Sequence, residues 1–293
     1  MNDHVAVDEV LKNTIRDFDR TALPQSPWRG ERASVLGVNV SAIDMDDCIA
    51  TIEGWIRDGR SHYVCISGVH GVIESQSDEE LRAIHNAAGL VTPDGMPLVW
   101  MARWLGHKRT RRVYGPDLMS RLSALSPSRG YRHFYYGGGE GLGERLKQAL
   151  SRAFPGLDVV GTITPPFRAL TPAEDDAVVA KINVAQPDIV WVGLSTPKQE
   201  RWMASHISRL DARVLIGVGA AFDFLAGDKR QAPPWMQRNG LEWLFRLATE
   251  PRRLWRRYFS IVPKFIVLAG AQLLRARFGR STPTDLRNEK AGS

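Results

Sequence analysis

Short, continuous apolar runs that alternate with helical segments are the feature that most restricts the fold of this chain. The apolar runs occupy residues 35–40, 63–67, 90–92, 133–136, 157–160, 189–193 and 214–218. Apolar residues also recur at helical spacing between runs, as at Cys48, Ile49, Ile52, Trp55 and Ile56. Strands that are apolar on both faces and separated by helices are typical of a covered parallel sheet. The sequence therefore predicts an α/β, Rossmann-like fold with a mostly parallel sheet and helices on both faces.

The same patterns predict four segments along the chain. Residues 1–32 have no sustained period and contain two prolines, so we expect a flexible extension without a signal peptide. Residues 33–245 form the α/β domain. Residues 246–280 form a basic, amphipathic helical appendage, and residues 281–293 form a flexible tail. The two cysteines have no metal-ligand spacing, which favours a reducing cytoplasm.

The appendage indicates contact with an anionic surface. The whole chain has a net charge of +7, which favours anionic partners. On a helical wheel, Leu254, Trp255, Tyr258, Phe259 and Val262 span about 140°, with the arginines opposite. Such a helix can lie in a lipid headgroup layer, pack on the domain with its basic face in water, or mediate self-association. The longest apolar run, residues 265–274, is too short to span a bilayer, so we expect peripheral membrane contact.

Polar or glycine-rich clusters follow five of the predicted strands. They occupy residues 67–70, 92–95, 137–139, 193–200 and 217–223. Each cluster alone could be no more than a turn. Because the carboxyl ends of parallel strands meet at one edge, where ligands of open α/β sheets bind, the five together predict an active site.

Asp94 lies on a turn between the apolar run at 90–92 and a helix start marked by Pro97. Asp-Gly is a common turn pair, so a purely structural role for Asp94 and Gly95 stays open. A helix N-terminus lowers the pKa of a nearby carboxyl, and we therefore expect Asp94 to be ionised. An ionised carboxylate can accept the proton of a sugar hydroxyl as that hydroxyl attacks.

Other clusters contain groups suited to a phosphorylated substrate. Residues 137–139 follow a strand and open a helix, which binds phosphate through backbone N–H groups, although ligand-free tight turns look the same. The primary amide of Gln199 can bind sugar hydroxyls or a uracil edge, whereas Pro197 and Glu200 also fit a plain helix start. The arginines that could neutralise a diphosphate, or only form a solvated loop, are Arg109, Arg111 and Arg112.

Metal and dinucleotide motifs are poorly supported. Asp44-Met45-Asp46 matches the DxD pattern of metal-dependent sugar transferases, but it lies at a helix start, where aspartates act as caps. No cluster of His, Cys and Asp has convincing ligand spacing. The turns at Gly137 and Gly217 both fail the GxGxxG spacing. We therefore predict neither a metal nor a cofactor.

The motifs in this order resemble those of the WecG/TagA/CpsF family of bacterial glycosyltransferases over about residues 35–259. The matching segments are residues 92–95, 112–117, 136–138, 197–200, 217–227, 232–235, 240–247, 250–253 and 257–258. The resemblance implies an inverting, metal-independent transferase that moves a sugar from a UDP-sugar to a saccharide on a polyprenyl diphosphate. It also implies work at the cytoplasmic membrane face, in cell-wall or exopolysaccharide assembly.

By position in these motifs, Asp94 resembles the catalytic base of the family, and Gln199 and Arg112 resemble its substrate contacts. The arginine-rich C-terminal segment resembles a docking appendage that helps to close the site. We expect the substrates to contact Ser67, His70, Thr92, Gly95, Arg112, Asp117, Gly137, Gly138, Pro197, Lys198, Gln199, Glu200 and Asp223. We expect the membrane or a diphosphate to contact Arg252, Arg253, Arg256 and Arg257.

One departure from the family pattern concerns the donor sugar. Many relatives have a Thr and an Asn after the second strand, where this chain has Ser67 and Gly68. Ser67 keeps a hydroxyl, but Gly68 supplies no amide. The expected donor therefore carries either glucose or N-acetylmannosamine.

Two other classes of protein fit the sequence less well. A basic nucleic-acid-binding or anionic-surface-binding α/β protein without catalysis would share the net charge, but the aromatic residues form no clear base-stacking platform. We expect no nucleic-acid partner. A nicotinamide-dependent oxidoreductase would need the glycine spacing that this chain lacks.

Overall fold

The computed structural model describes residues 28–278. The predicted tail and all but the end of the predicted N-terminal extension lie outside these residues. The strands are β1 Arg32–Val35, β2 Val38–Ser41, β3 His62–Ser67, β4 Leu90–Pro93, β5 Arg132–Gly137, β6 Asp158–Ile163, β7 Ile189–Gly193 and β8 Val214–Gly217. The six strands β3 to β8 form one parallel sheet in the order β4-β3-β8-β7-β5-β6.

Helices connect the strands and continue beyond the sheet. Those within the sheet topology are α1 Met45–Asp58, α2 Val69–Glu74, α3 Glu79–Ala87, α4 Met96–Trp104, α5 Gly115–Arg129, α6 Leu142–Ala153, α7 Pro172–Ala185 and α8 Lys198–His206. Those after β8 are α9 Ala221–Leu225, α10 Pro234–Arg238, α11 Glu242–Thr249 and α12 Pro251–Phe278. The expected appendage boundary at residue 246 falls inside α11.

The sheet is buried on both faces, as its apolar strands predict. Along β5, Tyr135 packs into one hydrophobic cluster, whereas Phe134 and Tyr136 pack into the other. Successive side chains of a strand point to opposite faces, so the two clusters lie on either side of the sheet. The predicted α/β fold with helices on both faces is confirmed.

The apolar run at 35–40 is not one strand of the sheet. β1 and β2 form a separate antiparallel hairpin in which Val35 pairs with Val38. Leu36 and Gly37 both have positive φ, at 51° and 82°, as a two-residue turn between twisted strands requires. Arg32 fastens the hairpin to the domain by donating to the carbonyls of Ala88 and Gly89. The prediction of one strand here was wrong because the run hid a tight turn.

The C-terminal helix α12 runs for 28 residues along the α/β domain. Leu254, Ile261, Phe265 and Ala269 are its buried residues. Gln272 joins the helix to the hairpin, because its side chain donates to the carbonyl of Ser34 (2.6 Å) and accepts from the N–H of Leu36 (2.9 Å).

Within residues 28–278, α12 is the one helix long and apolar enough, by length and composition, to cross a membrane. An 18-residue window has a mean hydropathy of 1.4, and 17% of it is buried in the protein. By length and composition, the helix thus meets a requirement that the apolar run at 265–274 alone did not, and the expected peripheral contact stays a prediction. Pro263 and Lys264 interrupt the apolar run but not the helix, so the run at 265–274 underestimated its length.

Candidate active site

The predicted site lies along one edge of the sheet. Because all six strands are parallel, their carboxyl ends face the same way, and the polar clusters follow those ends. Asp94 follows β4, Ser67 ends β3, Gly219 follows β8, Ser195 follows β7 and Gly138 follows β5. The expectation that these clusters share an edge is confirmed.

The strand order also separates the clusters. Neighbouring strands lie about 4.8 Å apart, so the turn after β5 lies about 19 Å from the end of β4. Asp94 and the glycine turn at Gly138 therefore cannot contact the same small group. Asp94 lies towards one end of the edge, because β4 is an outer strand of the sheet.

Asp94 is half-buried at the end of β4. Its N–H donates to the carbonyl of Ser67 (3.0 Å), and its Oδ1 accepts a long hydrogen bond from the N–H of Gly115 (3.4 Å). Burial raises the pKa of the Asp94 carboxyl to about 6, with Arg112 opposing the rise and Glu242 adding to it.

The expected downward shift of the Asp94 pKa is therefore corrected. Helix α4 begins at Met96 behind Gly95, which gives no side-chain cap. The contact to Asp94 Oδ1 comes from Gly115 instead, and it is too weak to offset the loss of solvent. A pKa of about 6 still leaves the carboxyl mostly ionised at neutral pH and suits a general base.

Arg112 links Asp94 to the C-terminal helices. Its Nε donates to the backbone carbonyl of Asp94, and its guanidinium lies 4.0 Å from the centre of the Tyr114 ring. Its Nη1 donates to Gln237 (3.0 Å), and its Nη2 pairs with Glu242 (2.5 Å). Arg109 and Arg111 are exposed, so among these three arginines only Arg112 contacts Asp94.

A cleft of about 390 Å³ lies beside Arg112. Its lining residues are Met96, Arg112, Asp117, Gln231, Pro234, Gln237 and Arg238. Asp117 contributes a carboxyl whose pKa is raised, mainly by burial. Asp94 does not line this cleft, but it contacts Arg112, which does.

Several buried polar atoms near the same edge have no protein partner. Gln199 and Glu200 begin α8 and are buried, whereas Lys198 is exposed and Pro197 is half-buried. The unpartnered side-chain atoms include Ser67 Oγ, Thr92 Oγ1, Gln199 Oε1 and Glu200 Oε2. Buried polar atoms are normally paired, so an unpaired set at a strand edge indicates a place for ligand or water.

The glycine turn after β5 is shaped by a close backbone approach. Gly137 has a φ of 117°, and a Cβ there would stand 2.7 Å from the Gly193 backbone. The N–H of Gly138 donates to the carbonyl of Gly193 (3.0 Å). Helix α6 starts only at Leu142, so residues 137–139 do not open it directly as expected. The close packing against the Gly193 backbone is by itself a sufficient reason for a glycine at position 137.

His70 and Asp223 face the C-terminal helices. His70 Nε2 lies 3.3 Å from Glu74 Oε1, and this hydrogen bond, helped by Arg257 and Lys264, lowers the pKa of Glu74. Asp223 lies 3.5 Å from Lys229, which in turn lies 3.5 Å from Glu250. A second cleft of about 290 Å³ is lined by Phe224, Lys229, Arg230, Arg246, Thr249 and Glu250.

The four arginines at the start of α12 are all exposed. Arg253 pairs with Glu250, and Arg257 lies close enough to Glu74 for their charges to interact. The interpretation of the DxD pattern as a helix cap is confirmed, because Asp44 accepts from the N–H groups of Asp46 (3.1 Å) and Asp47 (3.0 Å).

Comparison with known proteins assigns the family. Residues 33–279 match the model of the glycosyl transferase WecG/TagA/CpsF family. The chain belongs to the WecG/TagA/CpsF family. It is therefore a glycosyltransferase, and the resemblance seen in its motifs is confirmed.

Two relatives of this WecG/TagA/CpsF member share one activity in their names. A protein of Bacillus spizizenii is 30% identical over 66% of this chain and 72% of its own length. One of Staphylococcus aureus is 23% identical over 77% of this chain and 87% of its own length. Both are named N-acetylglucosaminyldiphosphoundecaprenol N-acetyl-beta-D-mannosaminyltransferase.

The structure adds residues to the WecG/TagA/CpsF site that the sequence did not single out. Glu242 and Gln237 hold Arg112, although they lie 130 and 125 positions away in the chain. Thr196 donates to Glu200 (2.8 Å). Glu242 lies within the motif segment 240–247, and Thr196 directly precedes the segment 197–200. No local sequence pattern, however, pairs Arg112 with Glu242 or Gln237.

Proposed function

We propose that this glycosyltransferase moves a sugar from a UDP-sugar to a saccharide on a polyprenyl diphosphate, with inversion and without a metal. One observation carries the proposal: Asp94, with a pKa of about 6, lies at the sheet edge beside Arg112 and an open cleft. The relatives' names support a polyprenyl-diphosphate acceptor. The product would enter cell-wall or exopolysaccharide synthesis.

In the proposed reaction, Asp94 is the general base. The acceptor hydroxyl oxygen attacks the anomeric carbon from the face opposite UDP. A new C–O bond forms, the bond to the UDP oxygen breaks, and the hydroxyl proton passes to Asp94. A single displacement inverts the anomeric configuration.

Cationic groups of the same edge would stabilise the departing UDP. Arg112 is the nearest guanidinium to Asp94, and the exposed Arg252, Arg253 and Arg256 extend the positive charge along α12. Fixed positive charge at a developing diphosphate lowers the barrier. Metal independence is supported by the DxD aspartates, since Asp44 is occupied as a cap and Asp46 pairs with Arg121.

The proposed transferred sugar is glucose or N-acetylmannosamine. Ser67 supplies a buried, unpartnered hydroxyl at the end of β3, and Gly68 supplies no side chain. N-acetylmannosamine agrees with the relatives' names. Glucose needs no amide partner and agrees with the glycine.

We also propose that α12 brings the enzyme to the inner face of the cell membrane. The helix exposes large apolar residues, among them Trp255 (47%) and Phe259 (72%), next to its exposed arginines. Apolar and basic groups side by side suit anionic lipid headgroups. The contacts of Leu254 and Phe265 with the domain favour peripheral docking over a span.

Replacing Asp94 with asparagine tests the catalytic role. Asp94→Asn keeps the side chain's shape and removes the base, so turnover should fall by about 10²–10⁴-fold. The assay measures sugar transfer from UDP-glucose and UDP-N-acetylmannosamine to a short-chain polyprenyl-diphosphate saccharide, with product stereochemistry determined.

The matched control is Asp58→Asn at the end of α1, remote from the edge, which should leave turnover unchanged. Turnover near that of the wild type in Asp94→Asn would remove Asp94 from the chemistry. A product that retains the anomeric configuration would rule out the single displacement.

A further inference from the structure

Gln199 and Glu200 form a buried pair at the start of α8. Gln199 is 2% exposed, and Glu200 is fully buried. The Nε2 of Gln199 donates to Glu200 Oε1 (3.1 Å), and Thr196 Oγ1 donates to the same oxygen (2.8 Å). A carboxylate only accepts hydrogen bonds, so it must meet the NH₂ end of the amide. The carboxylate therefore fixes the orientation of the amide.

The other end of this amide points towards the ligand edge. A Cβ on Gly219 would stand 3.5 Å from Gln199 Oε1, whereas a Cβ on Gly217 would stand 3.0 Å from Nε2. Gly217 ends β8 and Gly219 lies beyond it, so the oxygen is nearer the edge. Gln199 Oε1 is buried and has no protein partner. Such an acceptor is costly unless a hydrogen-bond donor reaches it.

We propose that Glu200 is a positioning residue that holds the Gln199 carbonyl oxygen towards the edge, so that the site selects a substrate group that donates a hydrogen bond. The inference rests on the proposed function. The group recognised is an O–H or N–H of the nucleotide sugar, from either the sugar or the uracil ring. In this role Glu200 acts through Gln199, by way of the Oε1 atom that accepts from the amide.

The variant Glu200→Gln tests this role. An amide at position 200 can donate as well as accept, so Gln199 is free to turn over. With UDP-glucose or UDP-N-acetylmannosamine as donor, whichever the wild type uses, KM should rise by about 10-fold, as expected for one lost oriented hydrogen bond. Because Asp94 is unchanged, kcat and the acid limb of the pH profile should stay close to those of the wild type.

A double-mutant cycle separates positioning from general damage. In a Gln199→Met background, Glu200→Gln should raise KM no further, because the group through which Glu200 acts is gone. The matched control is Glu53→Gln, which should leave KM unchanged. Glu53 is a carboxylate on α1 that pairs with Arg129. Additive effects of the two substitutions would overturn the inference.

Binding of UDP alone distinguishes the two sources of the recognised group. If Gln199 accepts from the sugar, Glu200→Gln weakens binding of the UDP-sugar and leaves UDP binding unchanged. If it accepts from uracil, both weaken equally. Unchanged affinity for both ligands in Glu200→Gln would refute the inference.

Thr196→Val provides a second variant should Glu200→Gln fail to fold, as judged by circular dichroism. It removes the other hydrogen bond to Glu200 Oε1 and should also raise KM, by a smaller factor. An unchanged KM would count against the role of Glu200.

A wild-type enzyme that uses no UDP-sugar would refute the proposed function itself. An active wild type whose Glu200 variants keep its KM would refute this inference alone.

Discussion

At the scale of single residues, the environment of Asp94 determines both the pKa of its carboxyl and its effect on the stability of the fold. Burial raises the pKa of the carboxyl to about 6, against the pull of Arg112. The proton is thus held more tightly in the folded protein than in the unfolded chain. The protonated carboxyl therefore stabilises the folded protein relative to the ionised carboxyl. This stabilisation is fully present below about pH 4 and is lost as the pH rises through about 6. The folded protein is thus less stable when Asp94 is ionised, which is the state in which Asp94 can act as a base.

We therefore expect Asp94→Asn to stabilise the protein while it slows transfer. The gain should be small at pH 4, grow between about pH 4 and pH 6, and level off at ~1–3 kcal/mol above that. Urea unfolding at pH 4 and pH 7.5 measures the difference. A gain that does not change with pH would show that the Asp94 pKa is not raised.

The pH dependence of the wild-type enzyme follows from the same carboxyl. Protonation of Asp94 removes the base, so kcat/KM should fall about 10-fold per pH unit below about 6. The measurement is kcat/KM from pH 4.5 to 8. An acid limb near pH 4 would mean that an ordinary, exposed carboxyl is the base.

At the scale of elements, Arg112 couples helix α11 to the catalytic edge. Glu242, on α11, pairs with Arg112 at 2.5 Å, and Gln237 on α10 holds the same guanidinium. Both partners of the ion pair are largely buried, with 15% and 19% of their side chains exposed. The C-terminal helices thus determine the charge around Asp94 as well as the shape of the cleft.

We expect Glu242→Gln to shift the acid limb of kcat/KM to lower pH. Glu242 raises the pKa of Asp94, and Arg112 would be freed to lower it further. Loss of a charged hydrogen bond should also reduce the free energy of unfolding by about 1–3 kcal/mol. Glu174→Gln, which disturbs an exposed pair with Arg168, is the control and should leave the acid limb in place. An unshifted limb in Glu242→Gln would contradict the coupling.

At the scale of the whole molecule, α12 covers the domain with one side and exposes apolar residues on another. Truncation after Thr249 would uncover the surface beneath Leu254, Ile261 and Phe265, so a loss of membrane binding could then reflect misfolding. Substitutions on the exposed side avoid this problem. Trp255 and Phe259 contact each other there, with ring centres 6.4 Å apart.

We expect the double variant Trp255→Ser, Phe259→Ser to bind anionic vesicles about 10²-fold more weakly, since each aromatic side chain contributes about 1–2 kcal/mol of apolar burial. Its melting temperature should match that of the wild type. Phe167→Ser, at a residue 87% exposed outside α12, is the control and should not weaken binding. Vesicle sedimentation provides the measurement, and unchanged binding by the double variant would refute the docking surface.

The sequence by itself determined the α/β class, the common edge for the polar clusters and the identity of Asp94 as the candidate base. These follow from local periodicity and from the rule that parallel strands end together. The cap at Asp44 was also readable, because a helix cap involves only neighbouring residues. The hairpin at Leu36 and Gly37 was missed because two valine-rich strands and their turn read as one apolar run.

Only the tertiary structure decided the direction of the Asp94 pKa shift, the partners of Arg112 and the orientation of the Gln199 amide. The pKa depends on how much water packing removes, and the Arg112–Glu242 pair joins side chains 130 positions apart. The face of α12 that meets the domain likewise depends on what packs against it. Periodicity shows which side chains share a face, whereas burial and charge at a site are sums over the whole fold.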